Sequence, residues 1–169
     1  MPDLRFQRNL WNTVACAVAE RYLCSMKTFT ATARIEIQAS ADRVWDALTN
    51  PKLIKEYLFG TEATSDWKVG SSITYAGVWE GKRYEDKGKI LELVPRKLLK
   101  STYWSSMAGK PDLPEYYQTV TYTLSEAGSK TTLTITQENN PSAESAEHSG
   151  SNWKMVLDAL KKLVEKKAA

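Results

Sequence analysis

The spacing of apolar and polar positions changes period along the chain, and each change marks a new element. From Thr30 to Gln38 the two classes alternate, with Ala33, Ile35 and Ile37 on one face and Thr32, Arg34, Glu36 and Gln38 on the other. That is the pattern of a half-buried strand. At Ser40 the spacing becomes helical. Ser40 stands as an N-cap, Asp42 lies in the first turn where negative charge suits the helix dipole, and Val44, Trp45 and Leu48 form the apolar stripe. Asn50-Pro51 ends this helix, because the residue before proline avoids the α region. The same pair starts a second helix, with Asn50 as cap, Pro51 in the first position, a stripe of Leu53, Ile54, Tyr57 and Leu58, and Gly60 as its stop.

After Gly60 the period returns to two and holds as far as Gln137. Strands are predicted over 61–67, 72–79, 84–94, 98–107, 116–124 and 131–137. Glu80-Gly81-Lys82 makes a short hairpin connection in which the glycine supplies a positive φ, and Ala127-Gly128-Ser129 turns the last pair. Residues 139–150 are small and polar and predict a loop or a weak first helical turn. Trp153, Val156, Leu157, Leu160 and Val164 then recur at steps of three and four, the signature of an amphipathic helix.

Composition narrows the picture. A chain of 169 residues, 42% hydrophobic and 25% charged, predicts one folded domain. The net charge is only +3 with no block of one sign, so a nucleic-acid partner is not expected. The longest apolar run, Val14 to Ala19, falls far short of the roughly 20 residues that span a bilayer, so no membrane insertion is expected. Cys16 and Cys24 are the only cysteines and form no disulfide framework, which predicts a reducing, cytoplasmic setting. Residues 1–25 carry Arg5 and Arg8 before a mildly apolar stretch, the outline of a signal peptide. Asn12, Thr13, Glu20 and Arg21 interrupt that stretch, so a helical or disordered N-terminal extension is expected instead, with the domain spanning 26–169.

Motifs exclude more than they assign. The glycines form no G-x-G or phosphate-cradling loop, there is no G-x-S-x-G elbow, and His148 is the single histidine. A histidine metal site and a serine triad therefore lack parts, and no metal or cofactor is expected. Glu80, Glu85 and Asp86 cluster near a hairpin beside Lys82, Arg83 and Lys87, where solvated charges are expected, and His148 is expected at the surface. Aromatic residues are over-supplied, with six Trp, eight Tyr and three Phe, many on strands. A long antiparallel sheet covered by one long helix curves around it, and a helix about 10 Å across cannot touch every inward residue. A gap lined by rings is the geometric consequence, with Tyr hydroxyls and Trp N–H groups as its polar tips.

The order of strand, two short helices, six strands and long helix resembles the helix-grip superfamily, which includes START lipid-transfer domains, the birch-pollen allergen type and polyketide cyclases. Within it the chain resembles the branch homologous to the C-terminal domain of the activator of the heat-shock-protein-90 ATPase. Val44-Trp45-Asp46-Ala47-Leu48-Thr49-Asn50-Pro51 is similar to that branch's first-helix motif, Asp66 with Val69-Gly70 to its d-x-x-x-G turn, and Gly88 to Pro95 to its G-x-V-x-E-x-x-P strand. Trp104, Thr131-Thr132-Leu133-Thr134 and the final-helix set Trp153, Leu157 and Leu160 continue the likeness from about Phe29 to Glu165. Gly70-Ser71 stands where two glycines are usual, and Tyr57 where a tryptophan is common.

The resemblance implies an α+β helix-grip fold, a curved antiparallel sheet wrapped around the C-terminal helix. The leading expectation is a non-enzymatic module holding a hydrophobic or aromatic, lipid-like molecule between sheet and helix. Its expected lining is Tyr57, Tyr75, Trp79, Tyr103, Tyr122, Trp153 and Leu157. The resemblance also implies, as alternatives, contact with a heat-shock chaperone ATPase and a cyclase- or hydratase-like enzyme using Tyr hydroxyls or a buried Glu as acid and base. A homodimer is a further option for the partner.

Overall fold

The computed structural model describes residues 28–166. Their elements run β1 (Phe29–Ile37), α1 (Ala41–Thr49), α2 (Pro51–Tyr57), β2 (Glu62–Ser65), β3 (Ser72–Trp79), β4 (Lys82–Val94), β5 (Leu98–Tyr103), β6 (Gln118–Ala127), β7 (Lys130–Asn140) and α3 (Ala143–Lys166). The strands make one sheet in the order β1-β7-β6-β5-β4-β3-β2, antiparallel at every pairing. The sheet curves around α3, with α1 and α2 filling the crossover between β1 and β2, so the fold is the expected α+β helix grip. The N-terminal extension lies outside the described residues.

Local chemistry explains most element boundaries. Asn50 caps α2, its side-chain oxygen accepting from Lys52 N at 3.1 Å with Pro51 in the first turn. Glu80 and Gly81 form a two-residue hairpin loop with φ of 49° and 77°, the paired positive values of a type I′ turn, so β4 starts at Lys82 rather than at 84. Ser40 caps α1 by position only, and the free Ala41 N–H donates instead to Glu126 Oε1 at 2.9 Å. β2 is shorter than its pattern because Trp67 turns out of the strand at a φ of 52°. β5 stops at Tyr103, and a single turn of 3-10 helix follows over Ser106–Ala108, capped by Ser105 Oγ accepting from Met107 N.

The largest departure from the sequence pattern is α3. It begins at Ala143, within the stretch predicted to be loop, and runs for 24 residues. Ser142 Oγ accepts from Ser145 N at 3.0 Å to start it. Ser145, Ser149, Gly150 and Ser151 are poor helix formers, but most helical stability comes from tertiary packing. Here the first turns lie along β1, where a Cβ on Gly150 would meet Thr32 O at 3.7 Å. His148 is exposed on this helix.

The core joins Ile37, Val44, Ile54, Leu133, Ile135, Leu157 and Leu160 between the concave sheet face and the helices. α3 lies closest to β1 and β7, and α2 to β2. β3, β4 and β5 cross the space between those two supports. That placement sets up the site.

Candidate functional site

Alternation along the strands aims a set of phenols into this space. Tyr75 on β3 pairs with Asp86 on β4, Tyr103 on β5 pairs with Gln118 on β6, and Tyr122 on β6 sits between Leu99 and Ile135. Tyr57 arrives from the last turn of α2, and Trp153 and Leu157 from α3. Tyr57 and Leu157 are buried, while Tyr75, Tyr103, Tyr122 and Trp153 are half-buried and packed against the core. Trp153 meets Tyr122 edge to face, with ring centroids 5.9 Å apart and planes at 85°. Six of the seven residues expected to line the cavity are thus brought together. The seventh, Trp79, lies on the same strand face as Tyr75 but at the tip of the β3–β4 hairpin. It is 52% exposed and stands apart from the cluster.

The four phenols share one electrostatic environment. Burial pushes the Tyr57, Tyr75, Tyr103 and Tyr122 hydroxyls well above their ordinary value, and the neighbouring phenols and the Asp86 charge add to it. Their hydrogen bonding differs. Tyr103 donates to Asp86 Oδ2 at 2.8 Å. The Tyr57, Tyr75 and Tyr122 hydroxyls have no hydrogen-bond partner among the described residues, yet no enclosed side-chain oxygen or nitrogen there is left unpaired. These three oxygens are therefore accessible. Each of these phenols is thus surrounded by protein yet keeps some exposed oxygen surface.

Two features of this site escaped the sequence pattern. Asp86, expected among solvated charges, is 9% exposed. Its Oδ1 accepts from Ser106 N at 3.1 Å and Ser106 Oγ at 3.5 Å, while Oδ2 accepts from the Tyr103 hydroxyl. Glu80 and Glu85 are exposed, as expected. The signal for Asp86 was its parity: it shares a strand face with Tyr84, Gly88 and Ile90. The second feature is an amide relay at the start of α3. Trp153 Nε1 donates to Gln137 Oε1, Gln137 Nε2 to Gln118 Oε1 at 2.6 Å, and Gln118 Nε2 to Asn140 Oδ1 at 3.0 Å. Asn140, 1% exposed, donates to Gln137 O at 2.7 Å and Phe29 O at 3.1 Å. The relay fixes the indole that meets Tyr122 edge to face.

Two open grooves lie elsewhere. One of about 530 Å³ runs between β1 and α3, bordered by Thr30, Thr32, Ala146, Gly150 and Lys154. The other, about 210 Å³, is bordered by Asp42, Arg43, Leu53 and Leu163. Neither gathers the phenols. Among the described residues no group of His, Cys, Asp and Glu is arranged to hold a metal ion, and no helix is long and apolar enough to cross a membrane.

A curved antiparallel sheet gripping a long C-terminal helix, with phenols converging between them, defines the helix-grip class of α+β domains. The chain belongs to the family described as Activator of Hsp90 ATPase homolog 1-like protein, whose model matches residues 38–165. It is similar to the solution structure of ChR145 from Cytophaga hutchinsonii, at 45% identity and a TM-score of 0.72, over 83% of this chain and 96% of that one. CV1439 from Chromobacterium violaceum matches at 26% identity and a TM-score of 0.66, over 80% and 96%. The Aha1 dimer from Colwellia psychrerythraea, at 21% identity and a TM-score of 0.65 over 81% and 96%, shares the fold. No curated protein matches the chain.

Proposed function

We propose that the protein is a binding module for a hydrophobic or aromatic small molecule held between the sheet and α3. The observation that carries this reading is the set of three accessible, unpartnered phenol oxygens on Tyr57, Tyr75 and Tyr122. An apolar concavity with a few convergent polar groups is the usual form of a ligand site. Burial of ring and alkyl surface yields roughly 25 cal/mol per Å², enough for micromolar binding of a lipid-sized molecule. The module acts by binding rather than by catalysis on this reading. Both Asp86 oxygens already accept protein hydrogen bonds, so the carboxylate is a fixed acceptor rather than a free base.

Native mass spectrometry with a thermal-shift screen of fatty acids, sterols and polycyclic aromatics tests it. The expected result is a one-to-one complex and a rise in Tm. Absence of both across the screen ends this reading. Family membership supports a second one, contact of the exterior with a heat-shock chaperone, and the Colwellia relative's dimer makes a homodimer part of it. An assay of chaperone ATPase turnover with the protein in excess decides that alternative, and unchanged turnover removes it.

A further inference from the structure

Resting on the binding reading above, the charges around the cavity carry a statement about what enters it. We infer that the site selects a neutral hydrophobic molecule bearing a hydroxyl or carbonyl oxygen and rejects carboxylates such as fatty-acid anions. Asp86 is the charged group among the strand positions facing the phenols, and it is negative. Other charges on that face lie at its ends. Lys82 is exposed at the hairpin tip, four residues or roughly 13 Å along β4 from Asp86. Glu126 is engaged with the start of α1.

Four basic residues of the flanking helices are placed away from Asp86. Lys55 pairs with Glu62 at 2.6 Å, Lys154 borders the outer groove on β1, Lys161 donates to Glu36 O at 2.8 Å, and Arg43 donates to Val164 O at 3.0 Å. An anionic head entering here would lose its hydration and meet a carboxylate, with no cation placed beside Asp86 among the described residues to offset either cost. The upward displacement of all four phenols shows that negative charge is disfavoured at this place. A neutral head is well served. Tyr103 commits its hydrogen to the bond with Asp86, so its oxygen is left as an acceptor for a ligand hydroxyl, while Tyr57, Tyr75 and Tyr122 keep hydrogens to donate to a ligand oxygen.

Matched probes test this at neutral pH by calorimetry: naphthol against naphthoate, and dodecanol against dodecanoate. The neutral member of each pair is expected to bind at least about tenfold more tightly, the equivalent of one unit of like-charge displacement. In Asp86→Asn, which keeps an acceptor for Tyr103, the gap is expected to shrink to about threefold or less. Equal or tighter binding of the carboxylates to the unsubstituted protein overturns the inference and leaves the binding reading standing. A gap undiminished in a folded Asp86→Asn protein overturns the role of Asp86. Failure of every probe to bind removes the binding reading and this inference with it. Should the variant not fold, the comparison on the unsubstituted protein decides alone.

Discussion

A tyrosine in this cluster is set apart by what it lacks. The phenols of Tyr57, Tyr75 and Tyr122 are displaced upward chiefly by desolvation, Tyr103 by desolvation and then Asp86. In the unfolded chain a tyrosine ionises at its ordinary value of 10.0. A folded-state value above that means the unfolded state loses protons first, so these residues contribute fully below about pH 10 and their contribution falls as pH rises beyond it. Alkaline unfolding is therefore expected to begin above pH 10, with phenolate absorbance and loss of circular dichroism rising together. Replacing Tyr57, Tyr75 and Tyr122 by Phe should make that unfolding less steep in pH, and phenolate absorbance that rises before the fold is lost would contradict the enclosure. Trp153→Phe, which leaves Gln137 Oε1 without its donor, is expected to cost about 1–3 kcal/mol in chemical denaturation. The rings of this site were legible because aromatic residues on alternating strands point to a core face. Asp86 was not, since Glu85, Lys87 and their neighbours surround it with charge and only its parity distinguishes it.

At the scale of elements, two glycines with similar sequence weight have opposite roles. A Cβ on Gly88 would lie 1.8 Å from Thr102 O across the β4–β5 pairing, where backbone cannot yield. Gly88→Ala is expected to unfold the sheet locally and lower Tm sharply, and this contact explains physically why a glycine opens the Gly88 to Pro95 motif. Gly150 sits inside α3 with room for a methyl at ordinary contact distance from Thr32 O. Gly150→Ala is expected to stabilise the protein by up to about 1 kcal/mol through helix propensity. A destabilised Gly150→Ala protein would show that α3 lies closer to β1 than described. Strands were readable because alternation has a short period and survives mixed composition. The start of α3 was hidden because Ser142 to Ser151 carries almost no apolar stripe, and what holds it helical is β1, distant in sequence.

The whole molecule is a sheet supported at two places, by α3 over β1 and β7 and by α2 over β2, with the phenols in the span between. Order of elements and turn chemistry made that architecture readable from the chain, whereas how tightly the centre is filled depends on side-chain packing that no periodicity encodes. Exposed apolar groups such as Phe59, Val78, Trp79 and Met107 lie outside the phenol cluster and offer a competing place for a hydrophobic probe to adhere. Titration of protein carrying isotope-labelled tyrosine and tryptophan rings with naphthol, followed by NMR, separates the two. Saturable shifts confined to Tyr57, Tyr75, Tyr103, Tyr122 and Trp153 are predicted. Shifts centred on Trp79 with the phenols unmoved, or none that saturate, would contradict an internal site.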